Sequence, residues 1–203
     1  MLRTDVMVDL ETLDVGPDAA IVQIGAVAFN ARSDLAGPVD DLLAEAPRLQ
    51  INVSLRTAVA AGGTIGADTV LWWLRQSEQA RAEFAKPDPA TLEDALVDFA
   101  DWWRTYADPE AHLWGNGADF DPVILGRSFD RLGLVRPWVR WNVRCFRTLR
   151  AEHCGLQYQR QGLAHRALDD ALSQARHVLL IRRGAAAAAD TRPGAAAVSP
   201  INP

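Results

Sequence analysis

The ten residues from Ala20 to Phe29 carry no charge and one polar side chain, Gln23. A run of this kind reads as a strand with both faces buried, which demands a sheet covered by helices on either side. The stretch before it, Asp5 to Glu11, reads as an earlier strand that is apolar apart from its acids. Alternation puts Asp9 and Glu11 on one face and Leu10 on the other. Adjacent carboxylates repel, and burying either unpaired is costly. A divalent cation resolves both problems, because hard cations favour several carboxylate oxygens. An ordinary polar strand end is the alternative that Met7 to Thr12 alone leave open.

Pro17-Asp18 marks a turn between these two strands, and Arg48 to Leu55 is a possible third. Three strands with short connections suggest an antiparallel meander. Ala61 to Gly66, rich in glycine, reads as a flexible, exposed stretch. Asp68 is read as the N-cap of a helix running to about Lys86, where Pro87 ends it. Thr91 opens another, with Asp94 three residues on as a capping-box variant. Its Leu92, Ala95, Leu96, Phe99, Trp102, Trp103 and Tyr106 form one broad stripe, suited to packing on a sheet.

His112 to Gly115 is a short strand. Asp121-Pro122 then starts a helix, with Asp at the N-cap and Pro first inside, ending at Gly133. Val139 to Val143 is a last strand, Phe146 to Cys154 a helix, and Leu163 or Ala167 to Arg183 the final helix. The order predicts a mixed α/β sheet flanked by helices, in one domain over residues 1–183. Residues 184–203, rich in Ala, Gly and Pro, are expected to be a disordered tail.

No apolar run approaches bilayer length, and Asp5 and Asp9 leave no room for a signal-peptide core. Cys145 and Cys154 have no zinc-type partners, so a reduced, cytoplasmic protein is expected. The net charge of −5 argues weakly against wholesale nucleic-acid binding. It hides an asymmetry: residues 1–125 sum to −13 and residues 126–203 to +8. Nine arginines fall between Gly126 and Arg166. An arginine-preferring composition, with Lys86 the one lysine, explains them as readily as an electropositive strip beside an acidic site.

Further acids recur where sheet proteins place active sites. Asp121 follows the fourth strand at a helix start, and Asp169 and Asp170 follow His165 by four and five residues. Carboxylates from separate elements, with a histidine nearby, suit two-metal phosphodiester hydrolysis.

Three segments together carry a resemblance: Asp9-x-Glu11, Asn116-Gly117-Ala118-Asp119-Phe120-Asp121, and His165-Arg166-Ala167-Leu168-Asp169-Asp170. Their order and spacing resemble the motifs of the DEDDh exonucleases, which include proofreading subunits, ribonuclease T and oligoribonuclease. Asp68 to Ser77 further resembles the branch with phage exonuclease A and the mycobacterial 3′–5′ exoribonuclease. The resemblance spans about Asp5 to Arg183. It implies a ribonuclease H-like mixed five-stranded sheet, an antiparallel meander followed by parallel strands, flanked by helices.

The resemblance implies that Asp9, Glu11, Asp121 and Asp170 hold two Mg²⁺ or Mn²⁺ ions, with His165 as general base. Asp170 rather than Asp169 follows from the family spacing, since helical phase does not separate them. Asp119 fills a variable motif position. His165 is expected just ahead of the last helix, on a mobile segment; His112, His153 and His177 have no comparable context. Thr12 and Leu13 would contact the terminal nucleotide, with Leu13 wedged against its base, and Asn116 would anchor the second-motif loop. Trp73 matches the core phase of its helix, leaving Trp72 to stack on a base. Trp102, Trp103, Trp114, Trp138 and Trp141 are read as packing.

The implied activity is a 3′–5′ exonuclease acting on single-stranded or 3′-overhanging RNA or DNA and releasing nucleoside 5′-monophosphates. A ribonuclease H-like endonuclease and a non-catalytic nucleic-acid-binding module are the rivals; the intact acids argue against the second. The partner is thus a nucleic-acid 3′ end and not a membrane, and a homodimer is compatible with the family.

Overall fold

The computed structural model describes residues 1–33 and 36–190. Its centre is β1 (Arg3–Thr12), which pairs antiparallel with β2 (Ile21–Phe29) and brings Asp9 opposite Gly25 and Glu11 opposite Gln23. A short helix absent from the sequence reading, α1 (Val39–Ala44), leads into β3 (Arg48–Asn52), antiparallel to β2. The third strand is shorter than Arg48 to Leu55. Val53 makes only a single bridge to Ala90, and the chain turns into α2 (Leu55–Ala60) after Ser54.

Residues 61–66, expected to be flexible and exposed, are exposed at Gly62, Thr64 and Ile65 but held in place by hydrogen bonds. The Ala20 amide donates to the Thr64 carbonyl at 2.9 Å, Thr64 N to Asp18 O at 2.8 Å, and Gly66 N to Leu13 O at 2.7 Å. Gly63 is buried there, where a Cβ would meet Ala58 O at 2.6 Å. These bonds clamp the stretch to the β1–β2 connection.

The single helix expected from Asp68 to Lys86 is broken in two, α3 (Ala67–Trp73) and α4 (Glu78–Ala82), followed by a 3-10 turn over Glu83–Ala85. Ser77 is the reason. Its hydroxyl accepts from Ala80 N at 3.2 Å, so it starts a new helix instead of continuing the old one. Asp68 sits in the first turn of α3, whose N-cap is Gly66.

Next, α5 (Leu92–Tyr106) begins as expected: the Thr91 hydroxyl accepts from Asp94 N at 3.1 Å and donates to the Asp94 carboxylate at 2.7 Å. Then β4 (Ala107–Gly115) runs parallel to β1. In α6 (Asp121–Arg131) the N-cap is Phe120, so Asp121 lies one position inside and its carboxylate serves the neighbouring strand. The last strand, β5 (Val143–Cys145), begins where Val139 to Val143 was expected to end. Residues 140–142 form a 3-10 turn instead, tied down by Asn142 Nδ2 donating to Glu110 O at 2.9 Å, with Trp141 79% exposed.

Finally come α7 (Phe146–Glu152) and α8 (Ala167–Asp190). The last helix continues past Arg183 through the alanine run, in keeping with alanine's helix propensity. The remainder of the expected tail, 191–203, lies outside the described residues.

The sheet order is β3-β2-β1-β4-β5, a mixed five-stranded sheet with a meander on one side and parallel strands on the other. Its two faces are sorted by strand alternation. Val6, Val8, Leu10, Ile24, Ala26 and Ala28 pack under α5 and α6 with Leu96, Phe99, Trp103 and Phe129. Met7, Val27 and Phe29 pack on the other face against Ala171, Ala175, Val178 and Leu179 of α8. Asp9 and Glu11 share that second face, so α8 covers the strand that carries them. Among the described residues, no helix is long and apolar enough to cross a membrane.

Candidate active site

The acids of the three sequence motifs converge at the end of β1. Asp9, Glu11, Asp121 and Asp170 are 9%, 7%, 2% and 4% exposed, an unusual burial for four carboxylates. The reason each ends there is local. Asp9 and Glu11 follow strand alternation. Asp121 is drawn back toward β1, where its Oδ1 accepts from Leu10 N at 3.1 Å and its Oδ2 from Asn116 N at 2.8 Å. This close return past Gly115 requires a residue without a side chain, since a Cβ there would lie 2.5 Å from Pro122 Cδ.

The third motif is seated by β2. Gln23 Oε1 accepts from Ala167 N at 2.7 Å, fixing the start of α8 against the sheet. His165 lies before the helix with φ of 63°, and its amide donates to Asp170 Oδ2 at 3.1 Å. This left-handed turn is what lets a histidine five residues from Asp170 face the same cleft. The two adjacent acids are also separated in space. Asp169 Oδ2 accepts from Leu163 N at 2.9 Å outside the cleft, whereas Asp170 lines it.

Asp9, Glu11, His165 and Asp170 line one cleft of about 580 Å³, and the buried Asp121 is bonded to the amides of Leu10 and Asn116 in its wall. Burial, then the charges of Asp121, Glu11 and Asp170, push Asp9 well above the usual carboxylate range. Burial with Asp170 and Asp121 nearby pushes Glu11 up to about 8. Burial raises Asp121 to about 6 against its two amide donors, and it raises Asp170 as well. Burial and the Arg160 guanidinium hold His165 below its ordinary value, which favours the neutral ring.

The donor set fits a divalent cation. Glu11, His165 and Asp170 each offer a ligand atom within 4.8 Å of the others, the one such group among the described residues. Buried Oδ1 of Asp170 and Oε1 of Gln174 take no hydrogen bond. Oxygen-rich donors of this kind select hard ions of the Mg²⁺ and Mn²⁺ type.

Trp72, 41% exposed, lines the cleft and meets the His165 ring edge-on at 4.9 Å between centroids. Trp73 is buried, as the helical phase predicts, and donates through Nε1 to Thr12 O at 2.9 Å, although its ring also borders the cleft. Thr12 and Asn116 also line the cleft. Leu13 does not: it faces a separate apolar cavity with Val70, Leu74 and Phe84, because the register shifts between Glu11 and Thr12 and the strand ends there, so the alternation that holds Asp9 and Glu11 on one face does not extend to it. Asp119 is exposed. His112 bonds Asp5, His153 bonds Leu149 O, and His177 packs on Phe146 and Tyr158, all away from the cleft.

The arginine strip resolves into separate duties. Arg127 and Arg131 pair with Asp18, Arg136 with Asp130, and Arg166 faces Glu83 and Asp169. Only Arg147 and Arg160 of the nine line the cleft. The sequence reading missed both, and also Gln174, whose Nε2 donates to Asp9 Oδ1 at 2.6 Å. Gln174 had a usable signal, lying one helical turn beyond Asp170 on the same face.

Residues 4–182 match the family model of the Rv2179c-like 3′–5′ exoribonuclease domain. The exodeoxyribonuclease of Enterobacteria phage T4 is 25% identical over 160 residues, covering 71% of this chain and 69% of that protein. A crystal structure of the nuclease domain of 3′hExo, a DEDDh family member bound to rAMP, is similar with a TM-score of 0.52. That likeness covers 89% of this chain and 91% of the other at 14% identity, and it supports the ribonuclease H-like fold. With its sheet order, its converging acids and a family match over nearly the whole described chain, the protein belongs to the Rv2179c-like 3′–5′ exoribonuclease domain family and is a 3′–5′ exonuclease.

Proposed function

We propose that the cleft hydrolyses the terminal phosphodiester at the 3′ end of a single-stranded or 3′-overhanging nucleic acid by a two-metal mechanism, releasing nucleoside 5′-monophosphates. The observation that carries this reading is the convergence of four buried carboxylates, three of which line one open cleft with His165. Asp9, Glu11, Asp121 and Asp170 would hold two Mg²⁺ or Mn²⁺ ions. Bound divalent ions supply acidification of water and charge stabilisation at the leaving oxygen.

His165 accepts the proton of the attacking water at a ring nitrogen, a role its lowered pKa supports at neutral pH. Trp72 presents its exposed face to the terminal base, and Thr12 and Asn116 hold the nucleotide at the strand ends. Arg147 offers its charge to the backbone phosphates. The family's description favours RNA, and the name of the phage relative favours DNA.

Matched RNA and DNA oligonucleotides labelled at the 3′ end, with Mn²⁺ or with EDTA, test the reading. The expected first product is a labelled mononucleotide, absent with EDTA and with Asp9→Ala. Full activity in Asp9→Ala overturns the mechanism, and internal fragments as first products support an endonuclease instead. His165→Ala is expected to slow turnover by about 10²–10⁴-fold with Mn²⁺ affinity kept. Parallel loss of both contradicts the base role.

A further inference from the structure

Arg160 stands inside the carboxylate cluster. Its Nε lies 2.9 Å from Asp170 Oδ1, and its side chain is 41% exposed while that of Asp170 is 6% exposed. The contact is a charge pair without hydrogen-bond alignment, since this oxygen takes no hydrogen bond. It therefore lacks the parallel, two-bond geometry of the strong arginine–carboxylate fork. The same guanidinium faces Glu11, His165 and the Tyr158 side chain. Arg160 thus brings a positive charge to Glu11, His165 and Asp170, the group suited to a metal ion.

The backbone beside Arg160 is tied down. Gln161 N donates to Ser173 Oγ at 2.9 Å, Leu163 N to Asp169 Oδ2 at 2.9 Å, and His165 N to Asp170 Oδ2 at 3.1 Å. Release of Asp170 therefore asks only for rotation of the Arg160 side chain. Such rotation leaves the guanidinium in the same cleft as Arg147, where it can meet a phosphate.

We propose that Arg160 is a built-in counter-cation that holds Asp170 when no metal is present, yields it to an entering divalent ion, and then binds a phosphate of the substrate strand. The inference rests on the metal-dependent nuclease reading above. Its physical basis is competition: one carboxylate oxygen cannot serve a guanidinium and a metal at full strength, and a single contact without hydrogen-bond alignment is the one that yields.

The two roles give effects of opposite sign. Arg160→Gln removes the competitor, so Mn²⁺ should bind about three- to tenfold more tightly. It also removes a phosphate contact, so KM for a single-stranded oligonucleotide should rise by about tenfold. A structural role would weaken both. Arg160→Lys keeps the charge with a different shape, and should fall between wild type and the Gln variant in both measurements.

Calorimetric titration of Mn²⁺ into the full chain without nucleic acid, beside steady-state kinetics, reads both signs. Near-UV circular dichroism checks that each variant is folded, and the Lys variant carries the comparison if the Gln variant is not. Mn²⁺ binding by the variants no tighter than by wild type overturns the inference, as does an unchanged KM. A wild-type chain that binds no Mn²⁺ overturns the underlying reading, a distinguishable failure.

Discussion

Gly25 on β2 and Ala167 at the start of α8 are in such close contact that a Cβ on Gly25 would lie 2.2 Å from the Ala167 carbonyl carbon. Gly25 is also the strand partner of Asp9. The glycine therefore sets how near the His165–Asp170 segment can come to the first-motif acids.

Gly25→Ala should push α8 outward at its first turn. The expected cost is about 1–3 kcal/mol of stability from overpacking. A displacement near 1 Å at the acids would lower turnover by about 10²-fold. Urea unfolding and kcat measure the two effects, and wild-type turnover in a folded variant contradicts the placement.

Asp169 and Asp170 are adjacent but have different partners, so their amide substitutions should diverge. Asp170→Asn is expected to reduce Mn²⁺ affinity by at least about 100-fold, with turnover falling in step. Asp169→Asn should keep metal binding, since its amide oxygen can still accept from Leu163 N and only the charge facing Arg166 is lost. Calorimetry on both variants decides, and equal losses would mean that the two acids share the ion.

The raised carboxylates make the metal-free protein less stable as pH rises. For an acid whose folded pKa is above its unfolded value, the unfolded chain binds fewer protons, so the stability present below the unfolded pKa is lost through the folded pKa. For Glu11 that window runs from its ordinary value of 4.5 up to about 8. His165 and His177 are shifted downward and act in the opposite direction, but only below their ordinary value of 6.5. Between about pH 7 and 8.5 the acids dominate, at up to about 1.4 kcal/mol per pH unit for one group. Thermal melts in EDTA should show a falling midpoint across this range for wild type and a flatter one for Glu11→Gln. Identical slopes would remove Glu11 as the cause.

Trp72 touches His165 but leaves part of its ring in the cleft. Trp72→Ala should raise KM by about tenfold through lost stacking, which is worth about 1–3 kcal/mol per base. Steady-state kinetics on a short single strand test this, and a change in kcat alone would assign the ring to holding His165.

Strand alternation, read from the sequence, placed Asp9 and Glu11 on one face, and that face is the one α8 covers. The capping box at Thr91 was equally legible, because its bonds span three residues. Legibility failed where distant residues compete with local preference. Asp121 has the look of an N-cap, yet its carboxylate serves Leu10, 111 residues away. The phase of α8 could not choose between Asp169 and Asp170. The apolar spacing over 70–84 suggested one helix, but Ser77 restarts it.

By itself the sequence determined the first two strands, the buried stripe of α5 and the order of the acid motifs, because periodicity and capping act within a few residues. Only the tertiary structure decided that Leu13 turns away, that Gln174 holds Asp9, and that Arg160 reaches Asp170. Those outcomes depend on which side chains meet once the sheet is covered, where burial strengthens every charge and excludes the water that would otherwise separate them.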